Sequence, residues 1–149
     1  MDEPTPQHRS DRPTATDRLA FAACALGLTA SLLPWLVHAA GWSPHRTHSD
    51  LWFAFGVMIA ASFAEAGAAG RTRRVLRVVL GLAAVFIAAV NAPDLLRLAE
   101  RAGEPGTAGF LGDAAVQRLY AYGAVAAAGL TLAVCGLAAS GRPKAPPRG

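Results

Sequence analysis

Glu65 is the one acidic residue set well inside an apolar block of this chain, and a carboxylate in that setting is costly to ionise. Such a group either marks a proton or ion pathway or is neutralised by a cation. Hairpin arithmetic supplies the cation. If the block holding Glu65 turns near Arg71-Thr72 and runs back, position 65 lies opposite about position 78, within reach of Arg74 or Arg77. Arg77 itself intrudes on the following apolar block and fits there only if its side chain snorkels to the headgroups. The spacing therefore predicts a structural ion pair between Glu65 and either Arg74 or Arg77, with a small transporter or ligand-binding membrane protein working through Glu65 as the competing use.

A second constellation is His38, His45, His48 and Asp50. Imidazole plus carboxylate is the ligand set of Zn, Cu or Ni, so outer-face metal binding is a third candidate. The spacing His-x6-His-x2-His-x-Asp matches no established site, and haem ligation by His38 lacks a second histidine within a span. Cys24 and Cys135 sit inside apolar blocks with no CxxC pattern, which reads as packing and not redox chemistry.

Other chemistry has no support in the sequence. It holds no GxxxxGK[ST], HExxH or GxSxG motif and no dinucleotide fingerprint, so the expectation is a protein that is not an enzyme and carries no cofactor. The small multidrug transporters are similar in having four short spans and a membrane glutamate, but theirs lies in the first span and their loops are short. Claudin-like tetraspans pair cysteines in the first outer loop, where this chain has Trp42 and no Cys.

The elements that position these residues are apolar blocks. Of 149 residues, 53% are apolar and only 16% charged, against about 25% charged in soluble domains. Blocks near twenty residues match a hydrocarbon layer of roughly 30 Å. Thr14-Ala15-Thr16-Asp17 has the form of a capping box opening the first block, and Gly41 follows it as a C-terminal cap. A secretory signal peptide is the rival reading of that block, although its apolar region is longer than such signals need. Ser49-Asp50 and Asp113 offer N-caps further on. The third block is cut short by Asn91-Ala92-Pro93-Asp94, which keeps a three-span alternative alive. Beyond it Leu95, Leu98, Ala99 and Ala102 share one helical face while Asp94, Arg97, Arg101 and Glu104 share another, as in a helix lying in the interface plane. Gly103, Gly106, Gly109 and Gly112 then form a flexible connector.

The resulting expectation is an all-α integral membrane protein: a four-transmembrane-helix bundle with a short interfacial amphipathic helix between spans three and four. Residues 1–17 form a disordered cytoplasmic tail, 18–141 a membrane domain, and 142–149 a basic cytoplasmic tail. The spans are about 19–40, 51–70, 75–91 and 118–139, with an outer loop at 92–117. Orientation follows from Lys and Arg near the span ends. Arg9, Arg12, Arg18, Arg71, Arg73, Arg74, Arg77, Arg142, Lys144 and Arg148 fall on one side, leaving only Arg46, Arg97, Arg101 and Arg118 on the other. The richer side is assigned to the cytoplasm and the bilayer to the plasma membrane. Trp35, Trp42, Trp52, Tyr120 and Tyr122 all fall near the outer ends of spans, as interfacial aromatics do. Arg-for-Lys usage with abundant Ala and Gly fits a GC-rich bacterial source. Small residues at Ala60, Ala61, Ala64 and Ala68, and at Gly123 with Ala127, are expected at helix contacts or in a homo-oligomer. The arginines flank apolar blocks, so nucleic acid is not an expected partner. The role best fitting this pattern is an accessory or scaffold subunit presenting residues 91–118 to a protein or lipid partner.

Overall fold

The computed structural model describes residues 13–41, 50–102 and 114–139. They form five helices: α1 (Ala15–Ala39), α2 (Asp50–Gly67), α3 (Gly70–Val90), α4 (Ala92–Ala102) and α5 (Ala114–Ala138). No strand occurs among the described residues. The N-cap candidates Ser49 and Asp113, residues 1–12 and 140–149 and the glycine-rich connector lie outside them, while Ala15, Thr16 and Asp17, expected at the end of a disordered tail, are already helical because Thr14 caps the helix there.

Local chemistry explains three of the helix ends. Thr14 and Asp17 make both halves of the capping box: the Thr14 hydroxyl accepts from the Asp17 amide at 3.2 Å, and the Asp17 carboxylate accepts from the Thr14 amide at 3.1 Å. α1 ends at Ala39 with Ala40 as its C-cap, and Gly41 beyond it takes a φ of +74° and donates its amide to the His38 carbonyl at 3.0 Å, a left-handed turn that costs a glycine little. Asn91 breaks the chain between α3 and α4, and its side-chain amide donates back to the Ile87 carbonyl at 2.8 Å.

The α2–α3 turn differs from the hydropathy boundaries. α2 stops at Gly67 and α3 begins at Gly70, whereas the apolar blocks suggested 51–70 and 75–91. Gly70 adopts a φ of +56° and makes the reversal, so Arg71, Thr72, Arg73 and Arg74 are wound into the first turn of α3 and not left in a loop. Backbone hydrogen bonding is indifferent to side-chain polarity, so the helix extends past the apolar edge.

α1 and the Val116–Ala138 part of α5 are long and apolar enough to cross a membrane, whereas the apolar stretch of α2, Leu51–Gly67, is shorter. α1 packs against α2 and α5, α3 packs against the same two helices, and α4 leans mainly on α5. The interior is built from small side chains: Ala20, Ala23, Cys24, Ala54, Ala61, Ala84, Ala128 and Cys135 are buried, with Met58, Val125 and Leu132 among the few larger ones. Bulky groups point outward, and Phe21, Phe53, Phe63 and Phe86 are each between 67% and 74% exposed.

The closest approach is between α3 and α5. A Cβ added at Gly81 would lie 2.5 Å from the Gly129 carbonyl oxygen, and one at Gly129 would lie 2.6 Å from that of Gly81. Both positions therefore require glycine for backbone-to-backbone contact. The expected small pair in this helix, Gly123 with Ala127, instead faces outward and is exposed. A helix apolar on every side gives no phase to choose between faces. In α2, Ala61 is buried while Ala60 is exposed.

Three hydroxyls on these helices, those of Ser31, Ser62 and Thr131, donate into their own helix backbones. Ser31 donates to the Gly27 carbonyl at 2.9 Å, Ser62 to Met58 at 2.9 Å and Thr131 to Ala127 at 2.8 Å.

Candidate functional site

The densest polar chemistry sits where α1 begins, α2 ends and α3 begins. Arg77 is the centre of it. Its Nε donates to Glu65 Oε1 at 2.7 Å and its Nη2 to Glu65 Oε2 at 2.7 Å, a bidentate fork on one carboxylate. The same Nη2 donates to Asp17 Oδ1 at 2.6 Å. Side-chain exposure is 3% for Arg77 and 7% for Glu65 but 27% for Asp17, so the pair is enclosed and its third member forms the solvent-side wall.

Depth and side-chain direction explain how residues so placed can meet. Arg77 stands about 10 Å up α3 from its start, and Glu65 only about 3 Å from the end of α2, at 1.5 Å per residue. Helical side chains lean toward their own N-terminus. In antiparallel neighbours that sends the Arg77 side chain toward the turn and the Glu65 side chain away from it, so the two converge from opposite directions. Arg74, the other cation in reach by the hairpin arithmetic, is exposed and takes no part.

Arg73 closes the cluster on the outside. Its Nη1 lies 3.7 Å from Asp17 Oδ1, and its Nε donates to the Ala68 carbonyl at 2.6 Å, satisfying an oxygen that the end of α2 leaves without a helical partner. Two carboxylates and two guanidiniums thus balance in charge and tie three helices together. Asp17 precedes the apolar run that starts at Leu19. Its hydrogen bond from Arg77, reinforced by the bond from Thr14, holds its pKa down at about 2.

Spacing brought Glu65 and Arg77 into view but not Asp17. Asp17 had a sufficient local role in the capping box, and its second role needs α1 packed beside the α2–α3 hairpin, a contact across 60 residues. The available signal was that Asp17, Glu65 and Arg77 all fall near the arginine-rich ends of their apolar blocks.

The histidine constellation is not assembled within the described residues. His38 is half-buried near the end of α1, His45 and His48 lie outside the described residues, and Asp50 begins α2. Among the described residues no three His, Cys, Asp or Glu side chains gather as a metal would require. Cys24 and Cys135 are free thiols buried in one core cluster.

The opposite end is aromatic. Trp35 and Trp52 meet edge to face with ring centroids 6.0 Å apart, and Trp52 meets Phe55 at 5.8 Å. Trp35, Trp52 and Tyr120 are exposed. Tyr122 differs from them, being fully buried with Leu51, Ala88 and Ala121, and Trp42 lies outside the described residues.

No protein-family model, curated protein or solved structure matches the chain.

Proposed function

We propose that the chain is a multi-pass protein of the plasma membrane: a four-helix bundle in which α1, α2, α3 and α5 all cross and both termini face the cytoplasm. Its role is that of a non-enzymatic accessory or scaffold subunit presenting residues 91–118 on the outer face to a protein or lipid partner. The observation that carries the membrane reading is the inverted distribution of size. Phenylalanines stand exposed around the helices while Ala, Gly and Cys fill the interior. Lipid-facing helices have no reason to bury bulk, and they need small residues where backbones meet. Hydroxyls bonded to their own helix backbone agree with this, because hydrocarbon offers no water to satisfy them.

The scaffold reading draws on α4, an 11-residue helix outside the four long ones, where Leu96 is 68% exposed beside the charged side chains of Arg97 and Glu100. It also draws on Glu65. A carboxylate forked by one guanidinium is already neutralised, which favours fastening over proton shuttling. A photo-crosslinker placed at Leu96 in cells should capture a discrete protein or lipid adduct that Arg97→Glu weakens. Recovery of uncrosslinked protein alone, from cells in which the chain is membrane-embedded, would overturn the scaffold assignment.

A further inference from the structure

The first turn of α3 is electrostatically reversed. Helix N-termini carry the positive end of the macrodipole and favour acidic residues there, as α1 does with Asp17. α3 instead begins Gly70-Arg71-Thr72-Arg73-Arg74, with no acidic residue in its first turn, and Ala69 at its N-cap makes no side-chain capping bond. Arg73 is engaged with Asp17 and Ala68, but among the described residues Arg71 and Arg74 have no ion-pair partner.

Two cavities meet at Arg74. One, of about 650 Å³, opens at the charged end between Thr14, Gly70, Arg73, Arg74 and Arg77. The other, of about 450 Å³, runs along the side of the helices, with Arg71 and Arg74 at its head and Val75, Val78, Val79 and Gly136 along its length. Gly136 lets α5 approach α3 closely beside that groove, because a Cβ there would lie 2.7 Å from Val78 Cγ2 and 2.9 Å from the Arg74 carbonyl oxygen. Residues 71, 74, 75, 78 and 79 recur at helical spacing on one face of α3. Along that face two cations without an ion-pair partner among the described residues are followed by the exposed Val75 and Val79 and the half-buried Val78, the polarity of a phospholipid read from headgroup to chain.

We propose that this face binds an anionic phospholipid, its phosphate between Arg71, Arg74 and the first amides of α3, and one acyl chain in the Val75–Val79 groove. The assignment rests on the membrane reading above. It goes beyond the positive-inside pattern, which asks only for cations somewhere in the loop and not for two at the head of an apolar groove. A phosphate there would relieve the reversed first turn, since helix N-termini and arginines are both anion receptors. The groove commits the ligand to a lipid, because a free phosphate has nothing to place in it.

The test counts lipids retained by the purified full-length protein, using native mass spectrometry from an equimolar mixture of phosphatidylglycerol and phosphatidylcholine. The wild type should keep phosphatidylglycerol preferentially, and R71Q/R74Q should lose that preference on the order of tenfold. Val79→Trp, which fills the groove and leaves both cations, should weaken it as well. R9Q/R12Q removes the same charge from the same side and should leave the preference unchanged. An equal loss in R9Q/R12Q means general electrostatic attraction and overturns the proposal, as does unchanged preference in R71Q/R74Q. Displacement of the lipid by added inorganic phosphate would instead assign a free anion and overturn the lipid. Carbonate extraction of membranes separates the two levels of inference. If the wild type is extracted, the membrane reading falls; if all variants stay embedded while none shows a preference, only the lipid site falls. Helical circular dichroism of the variants, matching the wild type, rules out misfolding as the cause of a loss.

Discussion

The two ends of the helices are held by different physics. At one end a single guanidinium, 3% exposed, reaches carboxylates on two other helices through bonds of 2.6 to 2.7 Å. At the other, Trp35, Trp52 and Phe55 touch edge to face near 6 Å while Tyr122 packs among Leu51, Ala88 and Ala121. Directional bonds to an enclosed charge are an all-or-nothing device, because losing one partner strands the others. Aromatic contact is spread over area, so neighbours cover for a missing ring. The charged end thus specifies which helices come together, whereas the aromatic end spreads its contacts over side chains of α1, α2, α3 and α5.

The hardest blow to that contrast is Arg77→Met. Removing the centre leaves Glu65 enclosed and Asp17 short of its closest cation, and breaking an enclosed pair this way costs about 3–5 kcal/mol. Unfolding by SDS in mixed micelles should register a loss of that order. A loss below about 1 kcal/mol would mean that the cluster is solvated and decorative. A sharper version adds Glu65→Leu to Arg77→Met. Replacing an enclosed pair by apolar groups is often neutral or stabilising, so the double variant should recover much of what the single one lost. Strict additivity of the two single effects would break the argument that they act as one unit.

Glu65→Gln comes next in size. The amide keeps the shape and one acceptor for Arg77 but surrenders the charge, and an expected loss of about 1–3 kcal/mol follows from a compromised hydrogen bond to a charged group. At the aromatic end Trp52→Leu should cost less, about 0.5–1.5 kcal/mol beyond its lost area, since it removes two edge contacts and no buried charge. If Trp52→Leu proves more damaging than Glu65→Gln in the same titration, the contrast between the two ends is inverted and α1–α2 packing would depend on its rings.

What the sequence made legible follows the range of the interaction. The Thr14–Asp17 box and the Gly41 cap are local, and residue types three or four apart suffice to read them. The approach of Glu65 to Arg77 is one hairpin away, so spacing alone narrowed the partner to two cations. Asp17 as third member spans 60 residues and depends on which helix lies beside which, a property that apolar blocks do not encode. The Gly81–Gly129 contact was illegible for a related reason. In a chain this rich in Ala and Gly every helix offers small residues on several faces, and Gly123 with Ala127 looked as suitable as Gly129 with Gly136. Hydropathy also misjudged the start of α3, because its arginines are helical although they are not apolar.

The smallest expected effect is the most selective for the charged end. Asp17 is held in its ionised form by Arg77 and Thr14, with its pKa lowered from 3.8 to about 2. A carboxylate that ionises more easily folded than unfolded contributes stability above its unfolded value, and loses that contribution as pH falls through the folded one. Between about pH 4 and pH 2 the wild type should therefore lose stability more steeply than Asp17→Asn, which has no charge there to lose. The measurement is the difference in SDS midpoint between the two proteins across that window, taken alongside Trp52→Leu. Trp52→Leu keeps Asp17 intact and should follow the wild-type slope at a lower level throughout. Parallel curves for wild type and Asp17→Asn would detach Asp17 from the cluster and leave Arg77 and Glu65 as an isolated pair, so that α1 would be held to the α2–α3 hairpin by packing alone.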